Sequence, residues 1–286
     1  MEAVVLAFVA ALLFGAALVS TQFGLRYGDA LSGARVSIPS ATAVLWLLAP
    51  LFFDAAGEIM PAAGIFILVG LFFPAAVTLL TFEANRRMGP TVAGTVGGTA
   101  PLFAVVVAVV FLGEPASLQL FGGCVLVVAG TAILCFAPGA SPTVWGRAAL
   151  WLPLAAAIMR ALAQVLSKAG LALWPNPFAA ALIGYTVSAL AVWGLPRFFS
   201  QRPPSTLLPA GRRWFVLTGL LNGAAVLAMY AALMRGAVGV VSPIVAVYPV
   251  FTLMLSALLL RQERLNARVL AGVAFTVSGV AWLLAR

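Results

Sequence analysis

The sequence has no histidine and only two cysteines. Cys124 and Cys135 lie eleven residues apart in one apolar stretch, about 16 Å along a helix axis, too far to bond each other there. That composition argues against a metal site and a Cys–His enzyme, and no cofactor is implied. Charge is scarce as well: 8% of the residues are Asp, Glu, Lys or Arg, against about 25% in a soluble domain. Of the acids, Asp29, Asp54, Glu58, Glu83, Glu114 and Glu263 all fall at the ends of apolar runs or between them, and Glu2 is terminal. The net charge of +9 is scattered over short loops without a basic tract. That pattern excludes nucleic acid as a partner and points to membrane orientation. Alternation of polar and apolar residues is missing too, which excludes a transmembrane β-barrel.

What is present is apolar length. Hydrophobic residues make up 64% of 286, with a mean hydropathy of +1.14. Ten apolar stretches can be drawn, each of roughly the 20 residues that cross a bilayer core. Backbone polar groups must be satisfied inside lipid, so these are helices, and the lipid bilayer is the surrounding medium. The predicted spans are about 3–24, 33–53, 62–82, 90–111, 117–136, 148–170, 178–198, 213–233, 238–260 and 266–285. The first resembles a signal peptide in hydropathy, but Glu2 stands where a positive n-region belongs, so it is read as a membrane helix. Helix three is expected to end near Glu83, Asn85, Arg86 and Arg87, with a loop before helix four. Trp174 and Trp193, near helix ends, are read as interfacial anchors.

One pattern occurs twice. Pro101, Glu114, Gly123 and Gly130 are matched by Pro249, Glu263, Gly272 and Gly279. Glu to first Gly is nine residues in both copies, and Glu to second Gly is sixteen. Upstream, Gly70 with Ala75-Ala76-Val77 parallels Gly219 with Ala224-Ala225-Val226, and Gly24-Leu25 parallels Gly170-Leu171. A repeat of this length predicts two related halves, residues 1–137 and 147–286, joined by the uncharged turn Pro138-Gly139-Ala140-Ser141-Pro142. Five helices per half bring the second half into the membrane from the opposite side. The expected fold is therefore all-α and polytopic, with ten transmembrane helices in two inverted five-helix repeats, an architecture of secondary transporters that bind substrate at the midplane.

The Pro-bearing helix, the Leu112-Gly113-Glu114-Pro115 turn and the Gly-rich helix after it resemble the EamA-type repeat of the drug/metabolite transporter superfamily. The second copy, Leu260-Arg261-Gln262-Glu263, keeps the Glu but lacks the Gly before it. Within the superfamily the chain is most similar to the bacterial YddG-type exporters of aromatic and other amino acids. The resemblance implies ten helices around a central cavity, with helices one to four and six to nine lining it, in a bacterial inner membrane. It implies a non-enzymatic exporter or exchanger of small metabolites, amino acids foremost, working by alternating access.

Polar residues at midplane depth supply the candidate site. Arg160 lies in the middle of helix six, with Gln164 one turn later on the same face. A charge at that depth faces a cavity or a partner, and no acid lies in the middle of any predicted helix. Arg160 therefore either meets an anionic group of a small-molecule substrate, for which its planar fork suits a carboxylate, or is satisfied by helix carbonyls, Tyr hydroxyls or water. Asn222, Tyr185, Ser188, Tyr248, Thr99 and the aromatic wall of Trp46 complete the candidate lining, each having interhelical packing as its other reading. Gly97, Gly98 and Pro101 in helix four, and Pro243 and Pro249 in helix nine, are candidate hinges, because Pro removes a helical hydrogen bond. Gly and Pro are also commoner in membrane helices generally. Glu114 and Glu263 are expected to cap helix starts.

The competing activities need residues the sequence lacks. A proton-coupled exporter of cationic drugs wants a membrane-embedded carboxylate. A polytopic membrane enzyme needs an acid, His or Cys cluster near an interface. Orientation follows from Lys and Arg in short loops. Twelve fall in loops 1–2, 3–4, 5–6, 7–8 and 9–10, against three, Lys168, Arg235 and Arg286, on the other side. That asymmetry predicts both termini facing away from the cytoplasm, whereas the resemblance implies both inside.

Overall fold

The computed structural model describes residues 1–54, 59–135, 147–194, 207–260 and 267–285, and among them every regular element is helical. In chain order these are α1 (Glu2–Gly24), α2 (Ala30–Phe52), α3 (Ile59–Phe72), α4 (Ala75–Gly97), α5 (Ala100–Leu112) and α6 (Leu118–Cys135). A 3-10 turn (Arg147–Leu150) leads into α7 (Trp151–Leu173), followed by α8 (Pro177–Gly194), α9 (Pro209–Arg235), α10 (Val238–Val245), α11 (Tyr248–Leu260) and α12 (Ala267–Leu284). Among the described residues, seven helical stretches are long and apolar enough to cross a membrane, and three shorter apolar helices accompany them. The chain is an integral multi-pass membrane protein. The proposed linker 138–142, Glu58 and Glu263 lie outside the described residues.

Two helix boundaries differ from the sequence reading. Helix three is broken at Phe73–Pro74, a cis peptide. No loop separates the predicted helices three and four: α4 runs on through 83–89. The ion pair of Arg87 Nε with Glu83 Oε1, 2.6 Å long, is an i,i+4 contact along that segment, the spacing at which opposite charges support a helix. Polar composition marked a loop; polar spacing favours a helix.

The breaks fall at matching places in the two halves. α4 gives way to α5 at residues 98–99, and α10 to α11 at 246–247. Pro101 and Pro249 each occupy the second position of the helix that follows. Pro is accepted there because the first-turn N–H groups have no intrahelical partner anyway. Each proline therefore starts a new helix after the break.

Packing also repeats with the halves exchanged. α1 lies against α9, and its counterpart α7 lies against α3. α2 packs on α9, as α8 packs on α3. α1 touches α10 and α11, as α7 touches α4 and α5. The small residues set these distances. A Cβ on Gly70 would meet the Gly184 carbonyl oxygen at 2.9 Å, and the matching Gly219 abuts the Ser37 backbone. On α1, the buried face reads Ala7, Ala10, Ala11, Gly15, Ala17, the small-residue surface that lets membrane helices approach closely.

The pairing of α6 with α12 fixes direction. A Cβ on Gly123 would meet the Gly279 oxygen at 3.1 Å, and one on Gly130 would meet the Gly272 oxygen at 2.7 Å. As residue numbers rise on α6 they fall on α12, so the two helices run antiparallel. Gly123 and Gly272 are repeat equivalents, as are Gly130 and Gly279, so each contact is the exchanged copy of the other.

Candidate functional site

Both breaks open onto one cavity of about 130 Å³, room for a small molecule and not merely a water or two. α1 contributes Phe14, Leu18 and Thr21, and α2 contributes Ser37 and Ile38. Phe73, Pro74, Val77, Thr78, Thr81 and Phe82 form another wall, with Gly97, Gly98, Ala100 and Pro101 at the first break. From the second half come Arg160, Gln164, Tyr185, Gly219, Asn222, Val226 and Met229, then Ser242, Val245, Ala246 and Tyr248 around the second break.

Most of that wall is apolar; the exceptions are pointed. Arg160 Nε, Gln164 Oε1, Tyr185 Oη and Ser242 Oγ are buried without a hydrogen-bond partner among the described residues. Leaving such a group unmatched costs about 1–3 kcal/mol, more when it is charged. Four on one cavity make a concentrated set of unused donors and acceptors. Arg160 has no ion-pair partner among the described residues; its guanidinium carbon lies 6.0 Å from the centroid of the Tyr248 ring. α7 carries the two polar groups on one face because 160 and 164 are one turn apart, and Gln164 is only 2% exposed.

Five of the eight candidate lining residues are therefore brought together: Arg160, Gln164, Tyr185, Asn222 and Tyr248. Three are not. Trp46 is 56% exposed and donates its indole N–H to Thr186 Oγ1 at 3.1 Å, on the outer face of α2 and α8. Thr99 donates to the Val96 carbonyl within its own break. Ser188 is fully buried between α8 and the α3–α4 break, donating to the Gly70 carbonyl at 2.6 Å and accepting from the Ala75 N–H at 3.3 Å. Each is used up in helix packing. Of the candidate hinges, Gly97, Gly98 and Pro101 border the cavity, whereas Pro243 is inside α10 and Pro249 in α11 without lining it.

Ser242, Thr21, Ser37 and Thr78 also line the cavity but are not among the candidates read from the sequence. A hydroxyl in a membrane helix most often bonds its own preceding turn, so residue type alone gave no signal for Thr21, which does donate to the Ala17 carbonyl. Ser242 had one: it immediately precedes Pro243, where the helix is already short of a hydrogen bond.

Glu114, Lys168, Arg235 and Glu2 make their contacts at one end of the bundle. Glu114, read as a helix cap, caps a helix of the other half. Its carboxylate accepts from the Val238 N–H at 2.6 Å and the Gly239 N–H at 2.9 Å, at the start of α10. Lys168 Nζ donates to the carbonyls of Leu233 and Gly236 at 2.6 and 3.0 Å, at the end of α9. Arg235 pairs with Glu2 at 3.1 Å. Trp174 is not an interfacial anchor: it is 1% exposed, and its indole N–H donates to the Asp54 carbonyl at 3.0 Å. Trp193 is 61% exposed, in keeping with such a role.

No curated protein matches the chain. A solved crystal structure is similar over 99% of this chain and 98% of its own, with a TM-score of 0.79 at 19% identity; the likeness is one of fold. The profile of the EamA-like transporter family matches twice, over residues 1–136 and 147–285. Two matches that together span nearly the whole chain place it plainly: this protein belongs to the EamA-like transporter family and is a membrane transporter.

Proposed function

We propose that the protein is a secondary transporter that exports or exchanges small metabolites, amino acids foremost, in the manner of the YddG-type exporters. The observation that carries this reading is the set of four unpartnered polar atoms around a cavity shared by both halves. Arg160 supplies a cation suited to a carboxylate. Gln164 Oε1, Tyr185 Oη and Ser242 Oγ supply acceptors for an amino group, and the apolar remainder receives a side chain. The seven long and three shorter helical stretches are read as ten crossings in a bacterial inner membrane, forming two inverted five-helix repeats, 1–137 and 147–286. Alternating access then follows from exchange of conformation between the halves, with the breaks at 98–99 and 246–247 as hinges. Among the described residues no carboxylate lines the cavity, which disfavours the cation-exporter alternative, since Arg160 would repel its cargo. Nor does any cluster of acids, His or Cys there suit a membrane enzyme.

Counterflow in proteoliposomes with amino acids, nucleosides and quaternary amines tests the reading. Exchange with amino acids and none with quaternary amines is expected. Uptake of quaternary amines in preference to amino acids would overturn it.

A further inference from the structure

We infer that α10 is a gate segment between the cavity and the end of the bundle carrying Glu2 and Arg235, held shut by Glu114 and Lys168 as positioning residues. This rests on the transport reading above. α10 is about 12 Å long and buried along most of its length: Val238, Val241 and Ile244 are 0% exposed and Ser242 is 1% exposed. Its far end, Ser242 and Val245, forms cavity wall; its near end is the capped turn 235–238. The segment thus spans from that capped turn to the cavity wall. The break at 246–247 gives it a pivot.

The fastening is polar at both sides of the turn. Glu114, from the first half, holds the N–H groups that open α10. Lys168, on α7, holds the carbonyls that close α9. Helix ends leave N–H and C=O groups without intrahelical partners, and water takes the place of a side chain there when the side chain leaves. The two charges are likewise solvated once released. On opening, the fastening exchanges protein hydrogen bonds for water hydrogen bonds, while the buried apolar side chains of α10 favour the closed state. Such a contact suits a two-state element.

The test is sided labelling of a cavity cysteine. In a Cys124→Ala, Cys135→Ala background, Val226→Cys places one thiol on the cavity wall. Membrane-impermeant methanethiosulfonate is applied to each face of oriented vesicles, with a protease site at the N terminus identifying the Glu2 face. Glu114→Gln and Lys168→Met are each expected to raise labelling from the Glu2 face roughly tenfold, matching loss of a charge-assisted contact, without change from the opposite face. Lys168→Arg is expected to restore protection. Unchanged labelling, an equal rise from both faces, or failure of both Glu114→Gln and Lys168→Met to fold would overturn the gate and leave a structural staple. No substrate is used, so failure of counterflow and failure of the gate are separate results.

Discussion

The guanidinium of Arg160 and the ring of Tyr248 face each other across the cavity, 6.0 Å from Cζ to ring centroid. Arg160 belongs to α7, and Tyr248 is the first residue of α11, immediately after the second break. The cavity's charge is thus tied to the place where the chain changes helix. An aromatic face attracts a cation by about 0.5–2 kcal/mol, more when water is excluded.

That contact makes Tyr248 a partner in holding Arg160. Tyr248→Leu is expected to weaken substrate binding by about 1 kcal/mol, roughly fivefold, while Tyr248→Phe keeps the ring and most of the affinity. Titration of the purified variants by calorimetry checks the pair; equal losses for Leu and Phe would assign the effect to the hydroxyl.

Close approach of α6 and α12 depends on glycine. Gly130→Leu would drive a side chain into the Thr276 and Gly272 backbone, and overpacking of that kind costs about 1–3 kcal/mol. Gly64, where an added Cβ would have nothing within 4 Å, provides the control substitution Gly64→Ala. Thermal unfolding in detergent is expected to show a lowered midpoint for the first and none of that loss for the second.

Ser188 separates a packing role from a binding one. Ser188→Ala removes the hydroxyl that joins the Gly70 carbonyl and the Ala75 N–H. A loss of about 1 kcal/mol in stability is expected, with substrate affinity unchanged. A changed affinity at unchanged stability would return Ser188 to the site.

The repeat was legible because Gly123, Gly130, Gly272 and Gly279 keep their spacing, and that spacing is the contact surface itself. The helix breaks were legible at Pro101 and Pro249. The cavity wall was only half legible. In a membrane helix the lipid face and the inner face are both apolar, so hydropathy does not tell which way a helix is turned. Trp46 and Tyr185 read alike as mid-helix aromatics, yet one faces outward and the other lines the cavity. Glu114 could be read as a cap but not as the cap of α10, because Val238 lies 124 residues away.

Orientation is open to a direct test. The end of the bundle that gathers Glu2, Glu114, Lys168 and Arg235 is the side poor in Lys and Arg. By the positive-inside rule it faces away from the cytoplasm. A C-terminal reporter active only in the cytoplasm is expected to stay dark; bright colonies would invert the assignment.

The central claim is that Arg160 receives a carboxylate from the substrate. The direct measurement is transport of a carboxylate-bearing amino acid by Arg160→Ala in proteoliposomes, beside Arg160→Lys. Arg160→Ala is expected to remain folded and to lose about 2–3 kcal/mol of binding, roughly 30- to 150-fold in affinity. Arg160→Lys should recover only part of that, since the two-pronged geometry is gone. Normal transport by a folded Arg160→Ala protein would contradict the account and make Arg160 a structural residue.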